Sequence, residues 1–345
     1  MAPETSGAAA AEFPVLPVGL TGAADRTAAP AADRTAAPAE TPLDPAVLSA
    51  PEKRRLERRG KLLTGACVFV VMGAVAALIV SVAWQGLAAF LANGVDPVAF
   101  LTGAVWAPHA SEAAYGAAPM ILGSLAVTAL SCVFALPVSV ACAVYAVEVS
   151  PSFGSRVFRP VMELLAGVPS VVFGLLGLTV VIPLVADATG TTGYGILAGA
   201  VVLAFMVFPT ITSLTMDTLK AVPQSYREAA LGLGLTRWQA ICGAVLPAAL
   251  PGILTALVMG MARAFGESLA VQMVVGNAAA VPSGLVGPAA TLTSVLTMGM
   301  ANEAPGTPAA HALWALALVL LVMSLVFVGI VHWIGKRAED RHGTA

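Results

Sequence analysis

Charge is what this chain has least of: Asp, Glu, Lys and Arg make up 10% of its 345 residues, whereas 58% are apolar. Apolar runs of the resulting length exceed what any soluble core strand or helix requires, which excludes a water-soluble globular domain. The alternation expected of transmembrane strands is missing too, which excludes a membrane β-barrel. The four cysteines, Cys67, Cys132, Cys142 and Cys242, have neither CxxC spacing nor a nearby His. They read as small apolar residues, not metal ligands. No GxxxxGK[ST] phosphate loop occurs, because Gly60-Lys61 and Gly335-Lys336 lack both the upstream glycine and the following Ser or Thr. A formal net charge of −2 offers nothing to a nucleic-acid partner. Glu148, Glu163, Asp217 and His332 fall near span ends and form no nucleophile–base set or carboxylate pair, so they read as solvated or snorkelling groups rather than an active site.

What the chain does have is six apolar stretches, at 62–91, 119–147, 161–186, 195–218, 248–275 and 309–334. Each is near the roughly 20 residues a helix needs to cross about 30 Å of hydrocarbon. Only helices satisfy the backbone internally in such runs, so the fold class is an all-α polytopic membrane protein with six transmembrane helices. Lys and Arg number 17, and every one but Arg263 falls before the first stretch, between the second and third, between the fourth and fifth, or after the sixth. That bias predicts a multi-pass protein of the cytoplasmic membrane with both termini cytoplasmic.

The segments then order themselves. Residues 1–52 form an Ala/Pro-rich cytoplasmic tail, with AADRTAAP repeated at 23–30 and 31–38, too poor in large apolar side chains to order itself. Residues 53–61 are a basic juxtamembrane segment, 62–335 the six-helix domain and 336–345 a second cytoplasmic tail. The basic stretch begins only at Lys53 and precedes a long apolar run, so the first span reads as a retained signal anchor. The exported loop 92–118 suffices for a small cap, in which His109 receives no role. Loop 276–308 is rich in Pro and Gly, and Pro137, Pro169, Pro183 and Pro209 permit kinks within the spans.

Two features bear chemistry. The first is 220–247, an amphipathic, charge-bearing stretch between long apolar spans. Ser225 with Glu228, and Thr236 with Gln239, have capping-box spacing, so the stretch reads as two short helices broken at Gly232 and Gly234, preceded by Pro223 and ended by Pro247. Ala229 and Ala230 leave the first helix nearly bare for a partner's approach, with Arg227 and Glu228 as polar contacts at the rim. The second is Arg263 with Glu267, whose i, i+4 spacing places them on one face of span five, Glu267 offsetting the charge of Arg263. They read either as a lock between helices or as a gate whose guanidinium takes a tetrahedral oxyanion. Thr128, Ser131, Ser170, Thr210, Thr212 and Ser213 are hydroxyl donors along the same path, of which Ser170, Thr210 and Ser213 complete the candidate pathway set.

The stretch Glu228-Ala229-Ala230, Gly234, Leu246-Pro247 resembles the signature of the inner-membrane subunits of binding-protein-dependent ABC importers, with Ala244 where that signature has Ile. The run Gly260-Met261-Ala262-Arg263-Ala264-Phe265-Gly266-Glu267-Ser268-Leu269-Ala270-Val271, followed by Val275-Gly276-Asn277, is similar to the pattern of phosphate-importer permeases of the PstC type. Phe100-Leu101-Thr102-Gly103 and Glu163 to Val172 match as well, and the resemblance covers about residues 62–335. It implies a type I ABC importer permease fold. It also implies a non-catalytic permease subunit forming half the translocation pathway of an ATP-driven, high-affinity phosphate importer. The implied partners are a PstA-like second permease, a PstB-like ATPase dimer binding ATP and Mg, to which the cytoplasmic loop couples through Ser225, Arg227, Glu228, Ala229, Ala230 and Gly234, and a PstS-like periplasmic or lipid-anchored phosphate-binding protein. The chain itself would hold no cofactor and would sit among membrane lipid in the inner membrane of a prokaryote. Alternatives at this point are a sulfate or molybdate importer of the same fold, and a proton-coupled carrier. The latter does not account for the 220–247 loop and would be expected to repeat the Arg263 region, of which there is no second copy.

Overall fold

The computed structural model describes residues 50–282 and 284–342, so the Ala/Pro-rich tail lies almost wholly outside the described residues. The chain divides into two compact units, one up to Cys67 and one from Val68 onward. In the first, the described backbone is the opening of helix α1, Ala50–Leu91, with exposed Arg58, Arg59 and Lys61.

In the second unit α1 runs on to Leu91, then Asp96 accepts the Val98 N–H and caps the short α2, Pro97–Thr102. A two-stranded antiparallel ribbon, β1 Trp106–Ala107 with β2 Ala114–Tyr115, completes the expected cap. Next come α3 (Ala118–Val144), α4 (Pro151–Phe153), α5 (Arg159–Ala166), α6 (Ser170–Leu176) and α7 (Ile182–Thr189). After these follow α8 (Ile196–Ala221), α9 (Gln224–Gly232), α10 (Arg237–Ala240), α11 (Leu246–Phe265) and α12 (Leu269–Val274). The last two are α13 (Leu292–Asn302) and α14 (Pro308–His342).

Among the described residues six helical stretches are long and apolar enough to cross a membrane: Glu57–Leu91, Ala118–Val149, Ser170–Thr189, Ile196–Ala221, Arg237–Phe265 and Pro308–Ile330. Their number agrees with the sequence; three boundaries shift furthest, one of them the start of the fifth stretch, at Arg237 instead of 248. The third stretch begins at Ser170 instead of 161, because Gly167-Val168-Pro169 breaks the chain and leaves α5 as a separate amphipathic helix. The fifth ends at Phe265 instead of 275, because Gly266 to Ser268 part α11 from α12.

Helix α8 is the axis. It is the most buried of the membrane-crossing helices, which places α8 at the centre of the second unit, while over residues 68–80 α1 is exposed and only its end, at Gly86 and Ala89, packs on α14. Leu203, Met206, Val207 and Ile211 fill the core around it, with α3 and α11 packed against it and α14 packed on α11. Gly260 lets α11 approach Ile211 of α8, where a Cβ would meet the Ile211 side chain at 2.5 Å.

Among the described residues four π-helical turns occur: Tyr145–Val149 at the end of the second span, Gly154–Phe158 between the second and third, and Gly177–Val181 and Ile241–Val245 within spans. Each is followed two residues on by a proline: Pro151, Pro160, Pro183 and Pro247. A proline donates no N–H and crowds the carbonyl four residues back; the wider turn, closed by a bond to the fifth residue back, relieves that crowding. Pro183 and Pro247 therefore stand in first turns that continue a helix, Pro169 stands before one, and only Pro137 and Pro209 of the expected four lie within α-helices.

Candidate functional site

The hairpin forms, with two corrections to its ends. Helix α9 begins at Gln224 after Pro223, which sits in extended geometry (φ −56°, ψ 141°). Ser225 consequently lies inside the first turn and caps nothing, and no capping box with Glu228 exists. The proline occupies the capping position and settles the entry by its own fixed φ. The second box is real: Thr236 accepts from the Gln239 N–H while Gln239 Oε1 accepts the Thr236 N–H at 2.9 Å. Gly234 makes the reversal with φ +81°, in the left-handed region. Pro247 does not end the second helix; through the π turn, α10 runs on into α11, so the hairpin's second arm is the start of the fifth span.

Glu228 and Ala229 face outward, with Ala230 buried beneath them. Around them Tyr226, Leu231, Leu233 and Trp238 are exposed, Leu233 at 82% and Trp238 at 62%, making an apolar surface at the tip that nothing among the described residues covers. The sequence reading missed this surface, although the large apolar residues at 231, 233, 235 and 238 could have marked it.

Arg227 departs from its expected place at the rim. Its guanidinium turns inward, meeting Glu148 Oε1 at 2.6 Å and donating to the carbonyls of Val222 (2.8 Å) and Leu219 (3.0 Å). The two side chains retain only 18% and 10% exposure. Removing one partner of so enclosed a pair typically costs about 3–5 kcal/mol, since the other charge is left stranded. Glu148, which its span-end position marked as merely solvated, belongs to the hairpin's foundation. A second, exposed link joins α5 to α8, Arg159 meeting Glu163 at 3.1 Å and Asp217 at 2.8 Å. The Glu163 hydrogen bond, then the charge of Asp217, hold the Arg159 guanidinium above its ordinary pKa.

In the bundle, the expected Arg263–Glu267 pair does not form. With α11 ending at Phe265, the i, i+4 relation loses its helical geometry. Arg263, half-buried, instead donates to Thr210 Oγ1 of α8 at 2.9 Å and to the Ala166 carbonyl at the end of α5 at 3.2 Å. Among the described residues no carboxylate lies within ion-pair distance of it. Glu267 accepts the Ala270 N–H at 3.2 Å and so holds the start of α12, while its carbonyl accepts the Thr293 hydroxyl at 2.9 Å. The cavity it lines with Ser124, Thr128 and Thr291 measures about 10 Å³, too small for an oxyanion. The structure thus brings together Arg263 and Thr210 and leaves Glu267, Ser170 and Ser213 without a hydrogen bond to either. Ser131 bonds the Thr128 carbonyl of its own helix, and the Thr212 hydroxyl is buried without a partner.

An apolar helical bundle with a stiff, exposed hairpin at one end and a guanidinium gripped between its spans is a membrane transport subunit with a surface for a protein outside the bilayer. The family described as binding-protein-dependent transport system inner membrane component matches residues 135–340. The probable ABC transporter permease protein YqgH of Bacillus subtilis (strain 168) is 43% identical over 295 residues, 85% of this chain and 96% of that one. The phosphate transport system permease protein PstC of Mesorhizobium japonicum is 31% identical over 296 residues, 80% and 88% of the two chains. Among solved structures, a chain of a bacterial alginate ABC transporter, in complex with an alginate pentasaccharide-bound periplasmic protein, aligns with a TM-score of 0.57 at 16% identity over 83% of this chain and 96% of that chain. That last likeness concerns fold alone. This chain belongs to the family of inner-membrane components of binding-protein-dependent transport systems. It is an integral membrane permease subunit of the ABC importer kind and not an enzyme; ATPase and binding-protein partners of the general ABC kind go with that class.

Proposed function

We propose that this chain is one of two permease halves of an ATP-driven importer of inorganic phosphate. The observation that carries the reading is the pairing of a rigid hairpin, exposed and apolar at its tip, with relatives named as phosphate permeases. The hairpin end faces the cytoplasm, in keeping with its Lys220, Arg227 and Arg237 and with the basic residues that flank the first and last spans. There Glu228, Ala229, Leu233 and Trp238 receive a PstB-like ATPase dimer, which binds ATP and Mg, while a PstA-like permease completes the pathway and a PstS-like protein delivers phosphate to the opposite face. Arg263, held by a hydroxyl and a carbonyl but by no carboxylate, keeps its positive charge available to a passing oxyanion, and its planar fork suits one. Ser170, Thr210 and Ser213 supply hydroxyls along that route.

Uptake of radiolabelled phosphate by a strain lacking the chain, restored with wild type or with Arg263→Ala, tests the reading. Restoration by wild type and its loss in the variant are expected. Sulfate or molybdate uptake restored in place of phosphate would reassign the cargo, and full phosphate uptake by Arg263→Ala would remove the pathway role of that residue.

A further inference from the structure

The hairpin meets the rest of the bundle through a polar contact that its sequence does not announce. Helix α9 packs on the Ile241–Val245 turn at the start of its own second arm. Toward the end of span two, however, it faces a groove of about 630 Å³ lined by Val147, Glu148, Pro151, Arg237 and Ile241. What crosses that groove is the Arg227 guanidinium. Its Nε and Nη2 both reach the Glu148 carboxylate, in the π turn that ends the second span, at 2.6 to 3.2 Å. Its remaining donors close on the carbonyls of Leu219 and Val222, at the end of α8. One side chain therefore ties α9 to the end of the second span and clamps it against the end of the fourth, the central helix, to which Val222 and Pro223 join it along the chain.

We propose that the Arg227–Glu148 pair is the joint through which displacement of the hairpin reaches the second and fourth spans, both residues acting as positioning residues for coupling. The proposal rests on the reading of the chain as an ATP-driven permease. The physical reason is directional. An apolar contact across an open groove slides under load, whereas a fork of hydrogen bonds to a carboxylate and two carbonyls loses its energy when its geometry is lost, so α9 cannot shift without dragging its three partners. Neither residue faces the tip surface where the ATPase docks, and neither lies at Arg263, so their effect falls on transmission and not on docking or cargo.

The test uses the whole transporter, with its partner permease, ATPase and binding protein, in proteoliposomes, measuring phosphate moved and ATP hydrolysed together. Glu148→Gln is near-isosteric and keeps the shape of the groove. Assembly can fall with the stranded guanidinium, so both rates are taken per assembled complex: ATP hydrolysis should stay within about twofold of wild type while phosphate moved per ATP falls about tenfold, inside the usual range of a site-to-site coupling. Arg227→Lys should lie between the two, retaining charge but not the fork, and Glu148→Gln with Arg227→Gln should be no worse than the poorer single variant. An unchanged phosphate-to-ATP ratio in Glu148→Gln overturns the joint, as does a fall in transport that merely tracks a fall in assembled complex. A wild-type complex that hydrolyses ATP yet moves no phosphate removes the importer reading instead, and the joint with it.

Discussion

Arg263 illustrates how a charge inside an apolar bundle is accommodated without a counter-ion. Placing an Arg at the centre of a span costs roughly 2.5–3.5 kcal/mol on insertion scales, and here a threonine hydroxyl and a freed helix-end carbonyl offset part of that cost. Because Glu267 is turned to the Ala270 amide, Arg263→Ala and Glu267→Ala should act independently. A double-mutant cycle on phosphate uptake should give an interaction below about 0.5 kcal/mol; a value well above about 1 kcal/mol would restore the ion pair the spacing suggested. Thr210→Val should cost about 1 kcal/mol in thermal unfolding by removing one acceptor from the guanidinium. At the hairpin, Gly234→Ala should cost about 1–2 kcal/mol for a Cβ in the left-handed region, read as a lower melting temperature of the detergent-solubilised chain.

At the scale of elements, the two arms of the hairpin begin by different devices. The second starts on a side-chain cap, so Thr236→Ala should cost about 1 kcal/mol and speed amide exchange over the first turn of α10. The first starts on Pro223, so Ser225→Ala should stay within about 0.5 kcal/mol of wild type in the same measurement. The capping-box spacing was present in both places, yet only one was used, because a proline one residue ahead of the helix already fixes the chain's entry. Prolines 160, 183 and 247 show the same principle inside longer helical runs: each is absorbed by a π turn that lets the helix carry on, whereas at Ser150 before Pro151 the helix breaks (φ −134°, ψ 72°). The Arg237 to Phe265 continuity that results makes the hairpin's second arm and the fifth span one rod.

At the scale of the molecule, the exposed residues 68–80 of α1 and the buried α8 define an interior and a lipid or partner face, while the hairpin tip supplies an apolar surface outside the hydrocarbon. Aromatic residues dominate the energetics of such docking surfaces, so Trp238→Ala should weaken ATPase association by about 2 kcal/mol, roughly 30-fold, in a binding titration with the purified complex. Undiminished binding would move the docking surface elsewhere. The chain alone in vesicles should fail to concentrate phosphate against a gradient, since no phosphate loop for nucleotide is present in its sequence.

The number of spans, the place of the hairpin and its turn at Gly234 were legible from residue type and spacing, because hydrophobic length, backbone permissiveness and local capping act over a few residues. The partners of Arg263, Arg227 and Glu148 were not. Thr210 lies 53 residues from Arg263 and Glu148 lies 79 from Arg227, and which distant groups meet depends on where helices break and how they pack. Spacing assigned Arg263 to Glu267 on the premise of an unbroken helix; the break at Gly266 was decided in three dimensions, where Glu267 served better by capping α12 and a carbonyl freed at Ala166 was waiting for the guanidinium.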